Sequence, residues 1–473
     1  MSSALRWSAR RLTLLLMVTA TAAAADSASA QQTLPSAMRV RIDSVARAVL
    51  AATGSPSASI AVVRDGKIAY ANAYGSARLD PQLAATPSMR YSVGSVSKQF
   101  TSTAILLLAQ QHKLSLNDKV SRWLPELTRA DQVSVRQILS MTSGYQDYWP
   151  QDYVMPPMLV PTTARAIVND WARKPLDFEP GTKWQYSNTN YVIAGLIVEK
   201  ASGTPLVPFL RKHIFTPLHM ESVVITDDSA LGPSDPQAYL RYALGPPRVA
   251  PKEGKGWLFA AGELAMTASD LARWDISVID KTILTPASYL KQQTNILLAN
   301  GVGTGYGLGV DVGMLDGHRM ISHGGEVSGF TSQNTIFPDD RMAVVVLTNI
   351  DASDASGRIA ASIANTLFGA TDTATEHAVS QARAIFAGLQ HGSIDRTLFT
   401  SNANAYFSDK ALADFASSLS PLGAPTEVTQ VQRSLRGGMT FRAFRIRAGG
   451  ESLTLTTFTL PNGKLEQFQI ANE

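Results

Sequence analysis

The 473-residue chain contains no cysteine. That absence excludes disulfide staples, thiol nucleophiles, Cys-bearing zinc or iron–sulfur sites and cysteine-borne lipid anchors. Hydroxyls, carboxylates, amines and imidazoles are left to carry any chemistry. Charge is also scarce, at 17% of residues, and 42 basic against 38 acidic side chains give a net charge of only +4. This is too mild for a nucleic-acid partner. With 45% hydrophobic residues, 33 Gly and 24 Pro the chain is neither disordered nor collagenous, and it can build a large core. Beyond the N-terminus no apolar run approaches the roughly 20 residues needed to span a bilayer, and no repeat of about 20–50 residues occurs. The histidines form no i, i+4 pair, so no metal site is expected, and no Gly-x-Ser-x-Gly string is present.

What is there begins with Arg6, Arg10 and Arg11, an apolar stretch over residues 12–25, and Ala28-Ser29-Ala30. This is the order of a secretory signal, expected to span residues 1–30 and to be cleaved after Ala30. Its apolar stretch is too short for a membrane anchor. The mature protein is therefore expected in the periplasm or outside the cell, nearly neutral and not membrane-spanning, with Arg10-Arg11 leaving both Sec and twin-arginine export open.

Helical spacing appears over residues 40–52, and residues 57–74 read as a hairpin turning at Asp65-Gly66. Residues 101–108 read as a buried helix, residues 153–180 as loop with a helix near 163–173, and residues 190–202 as a helix closed by Gly203. Strand patterns return at 306–312, 318–323, 329–337 and 342–349, with turns at Asp316-Gly317 and Asp339-Asp340. Strands at both ends with helices between them predict an antiparallel sheet built from the two ends of a domain over residues 31–370. After a small polar linker at 371–375, residues 376–473 read as a separate α+β unit. Its helices fall near 378–389 and 408–418, and its strands near 426–435, 440–447, 452–460 and 464–470.

Ser95-Val96-Ser97-Lys98 puts Ser and Lys on one helical face, one turn apart. A lysine is a base near neutral pH only if its pKa falls by about three units, through burial and neighbouring positive charge. Alone the pattern is weak, because Ser288-Tyr289-Leu290-Lys291 repeats it. Likewise Tyr70-Ala71-Asn72 competes with Tyr186-Ser187-Asn188, and Lys252-Glu253-Gly254 with His323-Gly324-Gly325. Order separates them: only Ser95, Tyr186 and His323 run as helix start, loop and strand.

This combination resembles the active site of the serine β-lactamase and penicillin-binding protein superfamily, nearest its class C-like branch of esterases and D-amino-acid peptidases. Similar flanking segments are Leu139-Ser140-Met141-Thr142-Ser143-Gly144-Tyr145, Phe178-Glu179-Pro180-Gly181 and Ala261-Gly262-Glu263-Leu264. The resemblance covers roughly residues 38–368. It implies a β-lactamase/transpeptidase-like α/β (α+β) fold, with an antiparallel sheet flanked by helices plus an all-helical lobe. It also implies Ser95 as nucleophile, Lys98 as proton acceptor and Tyr186 as proton shuttle. Asn188 would bind a substrate amide, His323, Gly324 and Gly325 would line the cleft, and Glu326 would supply a second oxyanion amide. Gly324 and Gly325 are expected to let substrate approach the backbone. Many relatives have lysine where His323 stands. A mostly neutral histidine favours small ester, amide or D-amino-acid peptide substrates over β-lactams.

The resemblance implies neither metal nor organic cofactor. A β-lactamase, a D-Ala-D-Ala carboxypeptidase and a silent wall-binding or sensor relative are the alternatives. Trp149, Tyr145, Tyr148, Phe259, Tyr306 and Phe330 are candidates for an aromatic acyl pocket. The C-terminal unit is similar in pattern to NTF2-like accessory modules.

Overall fold

The computed structural model describes residues 34–472 apart from 152, 244, 370–372 and 437, so the expected signal at residues 1–30 lies outside the described residues. The chain divides into two compact units. The first runs to Gly313 and again from Arg319 to Ala364, and the second comprises Met314–His318 and the chain from Asn365 onward.

The first unit opens with α1 (Ser36–Thr53), which stops where Gly54 turns left-handed at φ 66°. β1 (Ser57–Arg64) and β2 (Lys67–Leu79) follow, joined by Asp65 and Gly66, both at positive φ as a tight hairpin requires. β3 (Gln82–Ala84) is the short edge. The sheet is completed from far along the chain by β4 (Asp311–Leu315), β5 (His318–Val327), β6 (Phe330–Phe337) and β7 (Met342–Thr348), in the order β3-β2-β1-β7-β6-β5-β4. β1 and β7 meet antiparallel at its centre, from Ala58 opposite Thr348 to Val63 opposite Ala343. Both read as almost continuous apolar runs because both faces are covered.

Between the two halves of the sheet lie α2 (Ser97–Gln110), α3 (Asn188–Ser202) and α4 (Ala268–Asp280). α2 is buried nearly all round and packs on α3, while α4 lies across β1, β2 and β7. The Phe100 ring joins the layers, 5.5 Å from Phe215 and 4.7 Å from Trp274. A second sheet of three very short strands, Tyr91–Ser92, Leu264–Met266 and Val224–Ile225, ties the entry of α2 to the chain before α4. No single described helix is long and apolar enough to cross a membrane.

The fold agrees with the expected antiparallel sheet and helical lobe, with one local difference. The strand expected at 306–312 begins only at Asp311. A Cβ at Gly307 would lie 2.1 Å from the Gln292 carbonyl oxygen, and Gly309 sits at φ 79° against the Tyr191 hydroxyl, so this stretch packs as a close-fitting loop.

The second unit carries α5 (Thr373–Gln390) and α6 (Asp409–Leu419), with a short helix Ser401–Tyr406 that the sequence pattern does not reveal. α5 already begins at Thr373, inside the stretch expected as linker, whose residues 371–372 lie outside the described residues. β8 (Glu427–Arg436), β9 (Met439–Ala448), β10 (Glu451–Thr459) and β11 (Leu465–Asn472) form an antiparallel meander. Phe386, Leu389, Phe444, Ile446, Leu455 and Phe468 close its separate core.

Candidate active site

Ser95 lies in a one-turn 3-10 helix, Gly94–Val96, that feeds directly into α2 and puts its side chain one turn from Lys98. Lys98 is fully buried, and its Nζ lies within hydrogen-bond distance of three oxygens: Ser95 Oγ at 2.8 Å, Asn188 Oδ1 at 2.8 Å and the Ala261 carbonyl at 2.9 Å; the ammonium donates to all three. Burial drives the Lys98 pKa down to about 7. Neighbouring positive charge is the other expected cause. Instead the charge that matters is the Asp147 carboxylate, which opposes the shift, so desolvation alone makes this lysine a base near neutrality.

Tyr186 comes from the loop before α3, and its hydroxyl donates to Ser95 Oγ at 2.8 Å. Burial raises its pKa, so the phenol keeps its proton at neutral pH. Asn188 opens α3 beside it. Its amide oxygen is engaged by Lys98 and its amide nitrogen donates to Asp147 Oδ2 at 3.3 Å, so both ends are held within the protein. Asp147 also accepts from the Asn188 and Trp149 backbone amides, at 2.8 and 3.2 Å. A carboxylate at the first turn of α3 suits the helix dipole. Sequence reasoning missed Asp147, although it sits three residues after the Thr142-Ser143-Gly144 segment that the resemblance singled out.

The Ala261 carbonyl is fixed from the other side. Ala260, at φ 53°, donates its amide to Glu263 Oε1 and its carbonyl accepts from Thr101 Oγ1 at 2.7 Å. Glu263 is itself buried, and desolvation lifts its pKa to about 8.

β5 supplies the opposite wall. His323 is buried, with Nδ1 against the Gly324 carbonyl and Nε2 3.0 Å from the Tyr306 hydroxyl. A carbonyl only accepts, so this pattern assigns the proton to Nδ1 and leaves Nε2 to accept from Tyr306. Burial and the nearby Lys98 charge lower the His323 pKa to about 4, so it is neutral well below pH 7, more firmly than its ordinary value predicts. Gly325 has a reason the sequence did not reveal: a Cβ there would lie 2.0 Å from the Val93 carbonyl oxygen. It lets β5 press against the turn entering α2. At Gly324 the nearest atom would be 3.5 Å away, leaving that position open. A Cβ on Gly94 would sit 2.8 Å from the Glu326 nitrogen, so the Glu326 backbone abuts the turn that carries Ser95.

Four of the five side chains expected to act together, Ser95, Tyr186, Asn188 and His323, thus line one cleft of about 990 Å³ with Gly324, Gly325 and Glu326, and Lys98 is buried in contact with Ser95 and Asn188. Matching this geometry, the Beta-lactamase family model covers residues 42–366. The chain belongs to the Beta-lactamase family. As a member of that family it is 27% identical to Protein flp of Staphylococcus aureus strain MW2 over 308 residues, 63% of this chain and 60% of that one. It is also 27% identical to a D-aminopeptidase of Brucella anthropi over 315 residues, covering 64% and 58%. It therefore spans about 60% of the length of these curated relatives. Among solved structures, a D-stereospecific amidohydrolase from Streptomyces sp. superposes with TM-score 0.61 at 26% identity, covering 70% of this chain and 98% of that one.

The competing sequence matches fall elsewhere in this Beta-lactamase family member. Ser288 helps start the helix Pro286–Gln292, its amide bonded to Thr285 Oγ1, and Lys291 is exposed. Tyr70 bonds Asp43 on α1, and Lys252 donates to the Thr226 carbonyl. Of the aromatic candidates, Tyr148, Trp149 and Tyr306 line the cleft. Tyr145 is buried on the Thr128 carbonyl, Phe259 packs against Gly195 and Phe330 against Tyr91, so these three are core. Trp184, whose ring centre is 5.8 Å from that of Tyr306, joins the cleft wall unforeseen, as does Asp311.

Proposed function

We propose that this chain is an exported serine hydrolase that forms an acyl-enzyme on Ser95 and cleaves small ester, amide or D-amino-acid peptide bonds. The hydrogen-bond pattern around Lys98 carries this reading. A neutral amine has two N–H donors and one lone pair. Asn188 Oδ1, turned toward Lys98 because its amide nitrogen faces Asp147, and the Ala261 carbonyl can only accept, so they take the two donors. The lone pair is left for the Ser95 hydroxyl, which in turn accepts from Tyr186.

In this mechanism Ser95 Oγ attacks the substrate carbonyl carbon as its proton passes to Lys98. The oxyanion that forms lies toward the Ser95 and Glu326 amides, a contribution of about 3–4 kcal/mol per donor in comparable sites. Tyr186 gives its proton to the leaving oxygen or nitrogen and is reprotonated from Lys98. Water then attacks the acyl-enzyme, with Lys98 and Tyr186 taking and returning its proton. Because the Tyr186 phenol stays protonated at rest, Lys98 rather than Tyr186 is the base for acylation.

For substrate, the neutral His323 offers no cation to a β-lactam carboxylate, and the aromatic wall suits an apolar acyl group. The relatives named as a D-aminopeptidase and a D-stereospecific amidohydrolase support amide bonds beside D-residues. Side-by-side turnover of an aryl ester, a D-aminoacyl amide and a penicillin by the parent and Ser95→Ala tests the reading. Ester and amide turnover that vanishes in the variant is expected. Penicillin turnover exceeding both would favour the β-lactamase alternative, and no turnover of any would favour the non-catalytic one.

A further inference from the structure

The charged groups on the cleft wall are not equivalent. Asp147 is engaged at both oxygens by Asn188 and Trp149. Glu326 accepts from the Ala352 amide, Asp351 from the Gly329 amide, and Asp354 faces Arg358 at 3.7 Å. Asp311 differs: among the described residues its carboxylate takes part in no hydrogen bond or ion pair, yet it lines the same cleft as Ser95.

Its place is fixed by the backbone. Residue 311 bridges antiparallel to Tyr306, whose hydroxyl binds His323 and whose ring adjoins Trp184. Trp184 keeps 38% of its surface exposed, so the wall of the cleft offers an aromatic surface as well as a lone carboxylate. The negative charge of Asp311 reaches both the Tyr186 and Tyr306 phenols and raises their pKa values. Desolvation lifts Asp311 itself to about 6, so it is mostly charged at neutral pH, and the residue as a whole keeps solvent exposure at the cleft. With His323 neutral, no cation pairs with this carboxylate among the described residues.

We propose that Asp311 is a specificity-determining residue that receives a cationic amine of the substrate, so that acyl donors with a protonated amino group are preferred over neutral or carboxylate-bearing ones. An ammonium satisfies the lone carboxylate and gains from the adjacent aromatic rings, whereas a substrate carboxylate would meet like charge. A single carboxylate is too few ligands for a metal ion. The proposal rests on the hydrolase reading and names the substrate class for that site.

The test compares D-alanine p-nitroanilide with its N-acetyl and N-succinyl forms, using the parent, Asp311→Asn and Asp311→Lys. The parent should favour the free amine by about 10- to 100-fold in kcat/KM, the size of one hydrogen-bonded charge contact. Asp311→Asn should lower the ratio of free-amine to N-acetyl turnover by a similar factor, and Asp311→Lys should move the preference to the succinyl compound. If no anilide turns over, inhibition of p-nitrophenyl acetate hydrolysis by the same compounds reads the ratio. A parent without amine preference, or a ratio unmoved in both variants, overturns the proposal. If p-nitrophenyl acetate is still hydrolysed at Ser95, only the proposal falls; if Ser95 is never acylated, the hydrolase reading falls with it.

Discussion

Replacing Asp147 by Asn should move the acidic limb of the pH–rate profile downward. Under the proposed mechanism acylation needs neutral Lys98, whose pKa burial has brought from 10.5 to about 7. That displacement corresponds to about 5 kcal/mol of discrimination against the ammonium form. Acylation should therefore rise about tenfold per pH unit up to about pH 7 and then level off. The Asp147 charge opposes the shift from across one bridging amide. At an effective dielectric near 20 such a unit charge is worth about 2 kcal/mol, between one and two pKa units. Its removal leaves the ammonium less favoured, so Lys98 loses its proton at lower pH and the limb in Asp147→Asn should fall by about that amount. The plateau should fall as well, because a neutral residue holds the Asn188 amide less firmly.

The assay is pre-steady-state release of nitrophenol from p-nitrophenyl acetate, read at its isosbestic wavelength. An uncharged acyl donor keeps the titration of Asp311 out of substrate binding, and His323 at about 4 titrates well below the limb. A limb that stays in place or moves upward would refute the reasoning, because it would mean that Asp147 does not act on the charge of Lys98.

Gly325→Ala should lower stability by roughly 2–4 kcal/mol and abolish acylation, since its Cβ would collide with the Val93 carbonyl behind Ser95, whereas Gly324→Ala should unfold near the parent temperature. Thermal melts of both, with burst amplitudes for Gly325→Ala, check this contrast. His323→Lys should lower KM for a carboxylate-bearing penicillin by roughly tenfold by adding a cation where the parent has a neutral ring, as steady-state kinetics would show. An unchanged KM would contradict the assignment of substrate charge preference to this position.

Much of the architecture was legible because local chemistry and tertiary structure agree. Asp65-Gly66 marks a turn whose positive φ values the structure shows, and the apolar runs of β1 and β7 announce the centre of a covered sheet. The three-stranded tie through Tyr91–Ser92 was not legible, since strands of two or three residues have no measurable period. The loop at 306–310 reads as strand in apolar pattern, but close packing of Gly307 and Gly309 overrides it. In the site, Ser95, Lys98, Tyr186, Asn188 and His323 could be picked out because their order along the chain is restrictive. Asp147, Asp311 and Trp184 could not: a single acid or tryptophan has no spacing signal, and only the folded chain brings it to the cleft. Burial as a source of the lysine's low pKa is legible in the helix pattern, but the neighbouring charge is an opposing carboxylate, Asp147, that only the fold brings close.

The proposed mechanism stands on Ser95 as the nucleophile activated by Lys98. Intact-mass analysis of the protein quenched seconds after mixing with a reactive aryl ester, followed by peptide mapping, tests it most directly. One acyl group per chain is expected, located on Ser95, absent from Ser95→Ala and strongly reduced in Lys98→Met. An adduct on any other residue, or equal labelling of Ser95→Ala, would contradict it.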